Sequence, residues 1–108
     1  MSLTLKASGT QTANVTTEHT LDTDTDSGVY VLVVDTAEMV LGDFLELRIY
    51  TKCLVGGASG LAYQASYAQP QAQPLKYSVP VPCNIECKVT LKQTAGVSRD
   101  FPWSLLAL

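Results

Sequence analysis

Three groups of residues in this 108-residue chain have the types and spacing that chemistry requires. The sharpest is Asp22-Thr-Asp24-Thr-Asp26-Ser-Gly28, since alternating aspartates are how a hard calcium ion is surrounded by oxygens. An EF-type loop wants Gly at its sixth position and Glu at its twelfth, and those places hold Ser27 and Val33. The pattern reads as a solvated acidic turn ahead of a strand. Cys83 and Cys87 could supply two zinc ligands and Cys53 and His19 two more, but a C-x3-C pair with scattered partners is a weak zinc signature. The cysteines are expected to be buried thiols. His19 is the only histidine and lies in a polar stretch, which leaves any Ser-His-Asp or Cys-His arrangement a single candidate base. No catalytic, cofactor-binding or metal-binding residue is therefore expected, and the chain is read as a non-enzyme.

Other motifs dissolve on inspection. The glycines at 56, 57 and 60 precede a strand rather than a helix, so they form no phosphate loop. Asn14-Val15-Thr16 matches a glycosylation sequon, but residues 1–9 lack the apolar core of a secretory signal. No stretch approaches the roughly 20 apolar residues that span a bilayer. A soluble protein made in the cytoplasm, without a membrane or nucleic-acid partner, is the expectation, because no Lys/Arg cluster with interleaved aromatics is present.

Composition fits one domain over residues 1–108, with 46% hydrophobic residues and only 16% charged, against about 25% in typical globular chains. So little charge suits a surface that partners cover. Residues 1–43 carry seven acids against Lys6, while residues 44–108 carry six bases against three acids. Folding is expected to interleave the two sets rather than leave a dipole.

Period-two apolar patterning with Val, Thr, Tyr and Leu, bounded by Gly, Pro, Asp and Asn, is the pattern of strands. Residues 3–7 and 13–17 are expected as Thr-rich edge strands around a turn at Ser8-Gly9. The run at 29–34, Val-Tyr-Val-Leu-Val-Val, is expected at the centre of a sheet, buried on both faces. Residues 44–52 alternate Leu45, Leu47 and Ile49 against Glu46, Arg48 and Lys52. Between them, residues 36–43 have room for one helical turn crossing between sheets, with Met39 as a plug and Gly42-Asp43 as the turn. Residues 61–69 put Tyr63 and Tyr67 on one face; residues 75–81, bracketed by prolines, read as a sheet edge; residues 86–92 alternate again. Seven to eight short strands predict an antiparallel β-sandwich, with a partly closed barrel as the alternative.

The last segment, 101–108, sets Phe101, Trp103, Leu105 and Ala107 on one face and Pro102, Ser104, Leu106 and Leu108 on the other. A sandwich buries one face of each strand, so Leu106 and Leu108 require a covering loop or another subunit. Trp103, Leu106 and Leu108 are the candidate oligomer or partner interface.

Two stretches resemble a known family: residues 31–57, Val-Leu-Val-Val-Asp-Thr-Ala-Glu-Met-Val-Leu-Gly-Asp-Phe-Leu-Glu-Leu-Arg-Ile-Tyr-Thr-Lys-Cys-Leu-Val-Gly-Gly, and residues 91–108, Leu-Lys-Gln-Thr-Ala-Gly-Val-Ser-Arg-Asp-Phe-Pro-Trp-Ser-Leu-Leu-Ala-Leu. They look like the small β-sandwich decoration or cement proteins of tailed bacteriophages. The resemblance implies a non-enzymatic virion protein on the capsid exterior, a dimer or trimer, that binds the outer surface of the major capsid protein lattice and stabilises the head. Tail or head-fibre proteins share this appearance. A carbohydrate-binding sandwich is the other alternative, with Tyr63, Tyr67 and Trp103 as stacking faces, although alternation points those rings inward.

Overall fold

The computed structural model describes residues 3–108 as two antiparallel sheets packed into a β-sandwich that does not close into a barrel. Among the described residues the strands are β1 (Thr4–Thr12), β2 (Glu18–Asp24), β3 (Gly28–Asp35), β4 (Phe44–Thr51), β5 (Gly60–Ala68), β6 (Leu75–Tyr77), β7 (Val81–Cys83), β8 (Cys87–Ala95) and β9 (Asp100–Ala107). One sheet runs β1-β9-β3-β6, with β7 also paired to β3; the other runs β2-β8-β4-β5.

The inner faces follow the alternation. Tyr30, Leu32 and Val34 of β3 and Phe101 and Leu105 of β9 meet Leu45, Leu47 and Ile49 of β4 and Val89 and Leu91 of β8. Each such side chain, withdrawn from water, contributes about 1.5–3 kcal/mol. The outer residues of the β3 run, Val29, Val31 and Val33, are only half-buried, so the strand is covered on one face and not on both as expected.

Four expectations are corrected. Residues 13–17 form the β1–β2 loop, with Ala13 buried and Thr16 at φ 70°, and β1 instead runs straight through Ser8-Gly9. The Trp103 ring lies over Gly9, its Nε1 at ordinary contact distance, 3.5 Å, from where a Cβ would stand. Strand β2 takes in Asp22 to Asp24 of the segment read as an acidic turn, which leaves 25–27 as the bend before β3; Leu21 is the strand's only large aliphatic residue, too little to signal it. Residues 36–43 make two successive turns rather than a helical turn, although they do cross between sheets and Met39 is buried in the core. The proline-bracketed edge is two strands: at the break Ser78 donates its N–H to Leu32 O and accepts the Leu32 N–H on Oγ, both at 2.9 Å.

At one end of the sandwich three connections meet at Asp43, which is 1% exposed, and the β1–β2 loop joins them through Gln93 and Arg99. Its Oδ2 accepts from Val40 N–H and Arg99 Nε, both at 3.0 Å, and its Oδ1 from Val97 N–H at 3.3 Å. The buried Gln93 continues the network, its Oε1 accepting from Arg99 N–H and its Nε2 donating to Val97 O at 2.7 Å. Gly96, at φ 98°, is obligatory here, because a Cβ would collide with the Asp43 carboxylate.

Burial is the largest single influence on the Asp43 carboxyl and pushes it up, but the Val40 N–H, Arg99 and the Val97 N–H together outweigh it and hold the group below the usual carboxylate range. A depressed folded pKa contributes stability that is complete above about pH 4 and is lost as pH falls through the folded value. Asp43→Asn should therefore cost roughly 3 kcal/mol at neutral pH and much less near about pH 2. Urea unfolding of both proteins at the two pH values checks this, and an equal deficit at both would contradict it.

Candidate partner-binding face

Strand β9 lies between β1 and β3, so its outward side chains sit mid-sheet rather than at a rim. Leu106 pairs with Leu5 on β1 and Val31 on β3, which makes a continuous aliphatic row across three strands, while Leu105 points the other way against Leu32. The next row runs Ser8, Ser104, Val33 and Tyr77. Beyond it Asp35 pairs with Leu75, and Val33, Asp35, Leu75, Pro102, Trp103 and Ser104 line a shallow depression of about 240 Å³. Leu5 is 60% exposed, Tyr77 61%, Leu75 52% and Leu108 41%. Among the described residues, the charged side chains at the outward paired positions of this sheet are Asp35 and Asp100, both at one end. Contiguous uncovered apolar side chains of this kind mark interaction surfaces.

Of the candidate interface residues, Leu106 and Leu108 lie on this outer side, where Leu108 N–H also donates to Val29 O at 2.8 Å. Trp103 turns inward and packs against the core. Tyr63 and Tyr67 do the same from β5, and burial together with the neighbouring Tyr63 pushes the Tyr67 phenol up. None of the three rings is a free stacking face.

The outer face of the other sheet is charged and pairs mostly within itself, with Arg48 Nε left buried and unpartnered. Glu18 Oε2 accepts from Thr90 Oγ1 at 2.6 Å and Tyr50 OH at 2.7 Å; Arg48 reaches Glu18 at 3.4 Å and Glu46 at 3.2 Å; Lys88 Nζ lies 4.7 Å above the Tyr50 ring. The Thr90 hydroxyl, with Tyr50 and Arg48, lowers the Glu18 pKa against the opposing effect of burial. The acids of the first half and the bases of the second are interleaved, as Glu18–Arg48 and Asp43–Arg99 show.

The residues singled out for chemistry are not assembled into a site. Among the described residues no group of three His, Cys, Asp or Glu side chains is placed to hold a metal ion. Asp22 and Asp24 stand in β2, Asp24 Oδ1 accepts the Asp26 N–H at 2.8 Å, and Lys6 of β1 binds Asp24 at 3.5 Å and Asp26 at 2.8 Å. The aspartate series thus fastens one sheet to the other. His19 is half-buried on β2 and its Nε2 accepts the Asn14 N–H at 3.0 Å. Cys83 and Cys87 are buried, as expected, but Cys53 is exposed on the β4–β5 loop. Burial, then the neighbouring Cys83, pushes the Cys87 thiol far above its ordinary value, so it is a poor nucleophile.

A disulfide-forming chromogenic reagent should accordingly titrate one thiol, Cys53, in the folded protein and all three in denaturant; rapid modification of Cys83 or Cys87 under native conditions would contradict this burial. Comparisons with protein-family models, with curated proteins and with solved structures found no match to this chain.

Proposed function

We propose that the protein is a non-enzymatic virion structural protein of the decoration or cement kind, which binds the outer surface of the major capsid protein lattice and stabilises the head. The observation that carries the protein-binding part of this reading is the aliphatic row Leu5–Leu106–Val31, flanked by Leu108, Val33, Tyr77 and Leu75, on the outside of the five-stranded sheet. The resemblance of residues 31–57 and 91–108 to phage decoration proteins supplies the capsid.

The physical logic is that of a rigid plate. Backbone pairing fixes the outward residues at strand spacing, so little ordering entropy is lost when a partner covers them, and the apolar area contributes without any moving part. Asp35 and Asp100, at one end, give the face a polarity that can set its orientation on a lattice.

Leu106→Asp combined with Leu108→Asp puts two charges on this face while leaving the inner face untouched. The wild-type chain should bind expanded capsids that lack it and raise the temperature at which they rupture. The double variant should bind at least about tenfold more weakly, with an unchanged circular-dichroism spectrum. Absence of the chain from purified virions, or wild-type binding by the variant, would overturn the reading.

A further inference from the structure

Among the described residues the sandwich has four lateral edges, formed by β1, β2, β5 and the β6/β7 pair, and three of them are guarded. Edge β1 carries Lys6 and a bulge between Leu5 and Ala7; β2 carries Glu18, Asp22 and Asp24 and a bulge between Thr20 and Asp22. The β6/β7 edge consists of two three-residue strands with Pro80 between them and Pro82 within the second. Charges, bulges, prolines and brevity are the devices that stop a sheet edge from recruiting another strand. Edge β5 has nine residues, Gly-Leu-Ala-Tyr-Gln-Ala-Ser-Tyr-Ala, with neither charge nor proline. It too has a bulge, at Ala62, but this lies toward one end and leaves Tyr63 to Tyr67 in regular pairing with β4.

The free side of this edge can be identified. Gln69 N–H donates to Asp43 O on the β4 side, whereas Ala68 O is taken from the open side by Gln71 Nε2 at 2.7 Å. Alternation then turns the backbone groups of Tyr63, Ala65 and Tyr67 toward β4 and those of Gln64 and Ser66 outward. Among the described residues, Gln64 and Ser66 have no backbone partner on that outer side.

The sequence of this edge is nearly the same in both directions: Ala62-Tyr63-Gln64-Ala65-Ser66-Tyr67-Ala68 is a palindrome apart from Gln64 and Ser66. We infer that β5 is a self-association edge, and that two copies pair β5 antiparallel about a two-fold axis at Ala65. In that register Gln64 of one copy stands opposite Ser66 of the other, so the residues with outward-facing N–H and C=O groups exchange hydrogen bonds. Tyr63 stands opposite Tyr67, an aromatic cross-strand pair on the inward side, repeated by symmetry. Neither paired strand carries a charge of its own, Lys76 lying over the Tyr67 ring at 5.2 Å, and the two four-stranded sheets become one. The inference is independent of what the apolar face binds, since β5 belongs to the other sheet.

The register makes the test specific. Sedimentation equilibrium of the full chain should show a monomer–dimer equilibrium. Gln64→Glu with Ser66→Glu opposes like charges at both symmetry-related pairs and should raise the dimer dissociation constant at least about tenfold. Gln64→Glu with Ser66→Lys opposes unlike charges and should restore association. Thermal melts monitor folding of both variants, and the second keeps the test decisive if the first is destabilised. A monomeric wild type at about 200 µM, a dimer indifferent to the first pair, or dissociation in both pairs would each overturn the inference.

Discussion

A carboxylate removed from water must find every one of its hydrogen bonds inside the protein, and at Asp43 that demand organises an entire end of the molecule. The groups that meet it come from the β3–β4 turn and the β8–β9 loop. The Asp43 backbone carbonyl also accepts from Gln69 at the start of the β5–β6 loop, and Gln93 O accepts from Thr16 in the β1–β2 loop. Four connections that have little apolar content of their own are thereby held to the sheets. Asp43 shifts the cost of ordering the loops onto one buried carboxylate paired with a partly exposed Arg99, and Gly96 gives up its side chain so that the carboxylate can fit.

The rest of the sandwich divides its two outer surfaces by chemistry. On the four-stranded sheet, Glu18, Glu46, Arg48, Tyr50, Lys88 and Thr90 spend their charges on each other, which leaves little demand for a partner. On the five-stranded sheet, valine and leucine stand where a solvated sheet would carry threonine and lysine. A domain with one charged, mostly self-paired face and one uncovered apolar face has a built-in direction. This asymmetry follows from β3 and β9, whose outward positions are nearly all uncharged, and it separates the molecule from a monomer whose two sheets are alike.

How much of this could be read from the sequence depended on how local the controlling interaction is. Strand β4 and the two sides of β9 were legible because period-two alternation is a property of neighbours, and alternation alone sets Leu105 and Leu106 on opposite faces. The split at residues 75–81 was half-visible: prolines marked an edge, but the Ser78 bridge to Leu32 depends on a residue 46 positions away. Strand β2 was missed because its edge position is set by pairing with β8, and its Glu, His, Thr and Asp carry no hydrophobic rhythm. The Asp43 network was illegible for the same reason, since Arg99 lies 56 residues from the carboxylate it binds. The uncovered outer face was legible as a need, through Leu106 and Leu108. Its width was not, because Leu5, Tyr77 and Leu75 reach it only through strand order.

A two-fold axis that joins sheets edge to edge stands perpendicular to the sheet. In the β5 pairing, both five-stranded sheets would then lie on the same side of the joined layer, with their apolar faces looking in one direction. Such a pair is bivalent: once one face is seated on a repeating surface, the second acts at a high effective concentration, and the combined grip can exceed either contact by about 10²–10⁴ where the spacing matches. Lattice geometry, more than the strength of any single contact, would then decide where the molecule holds.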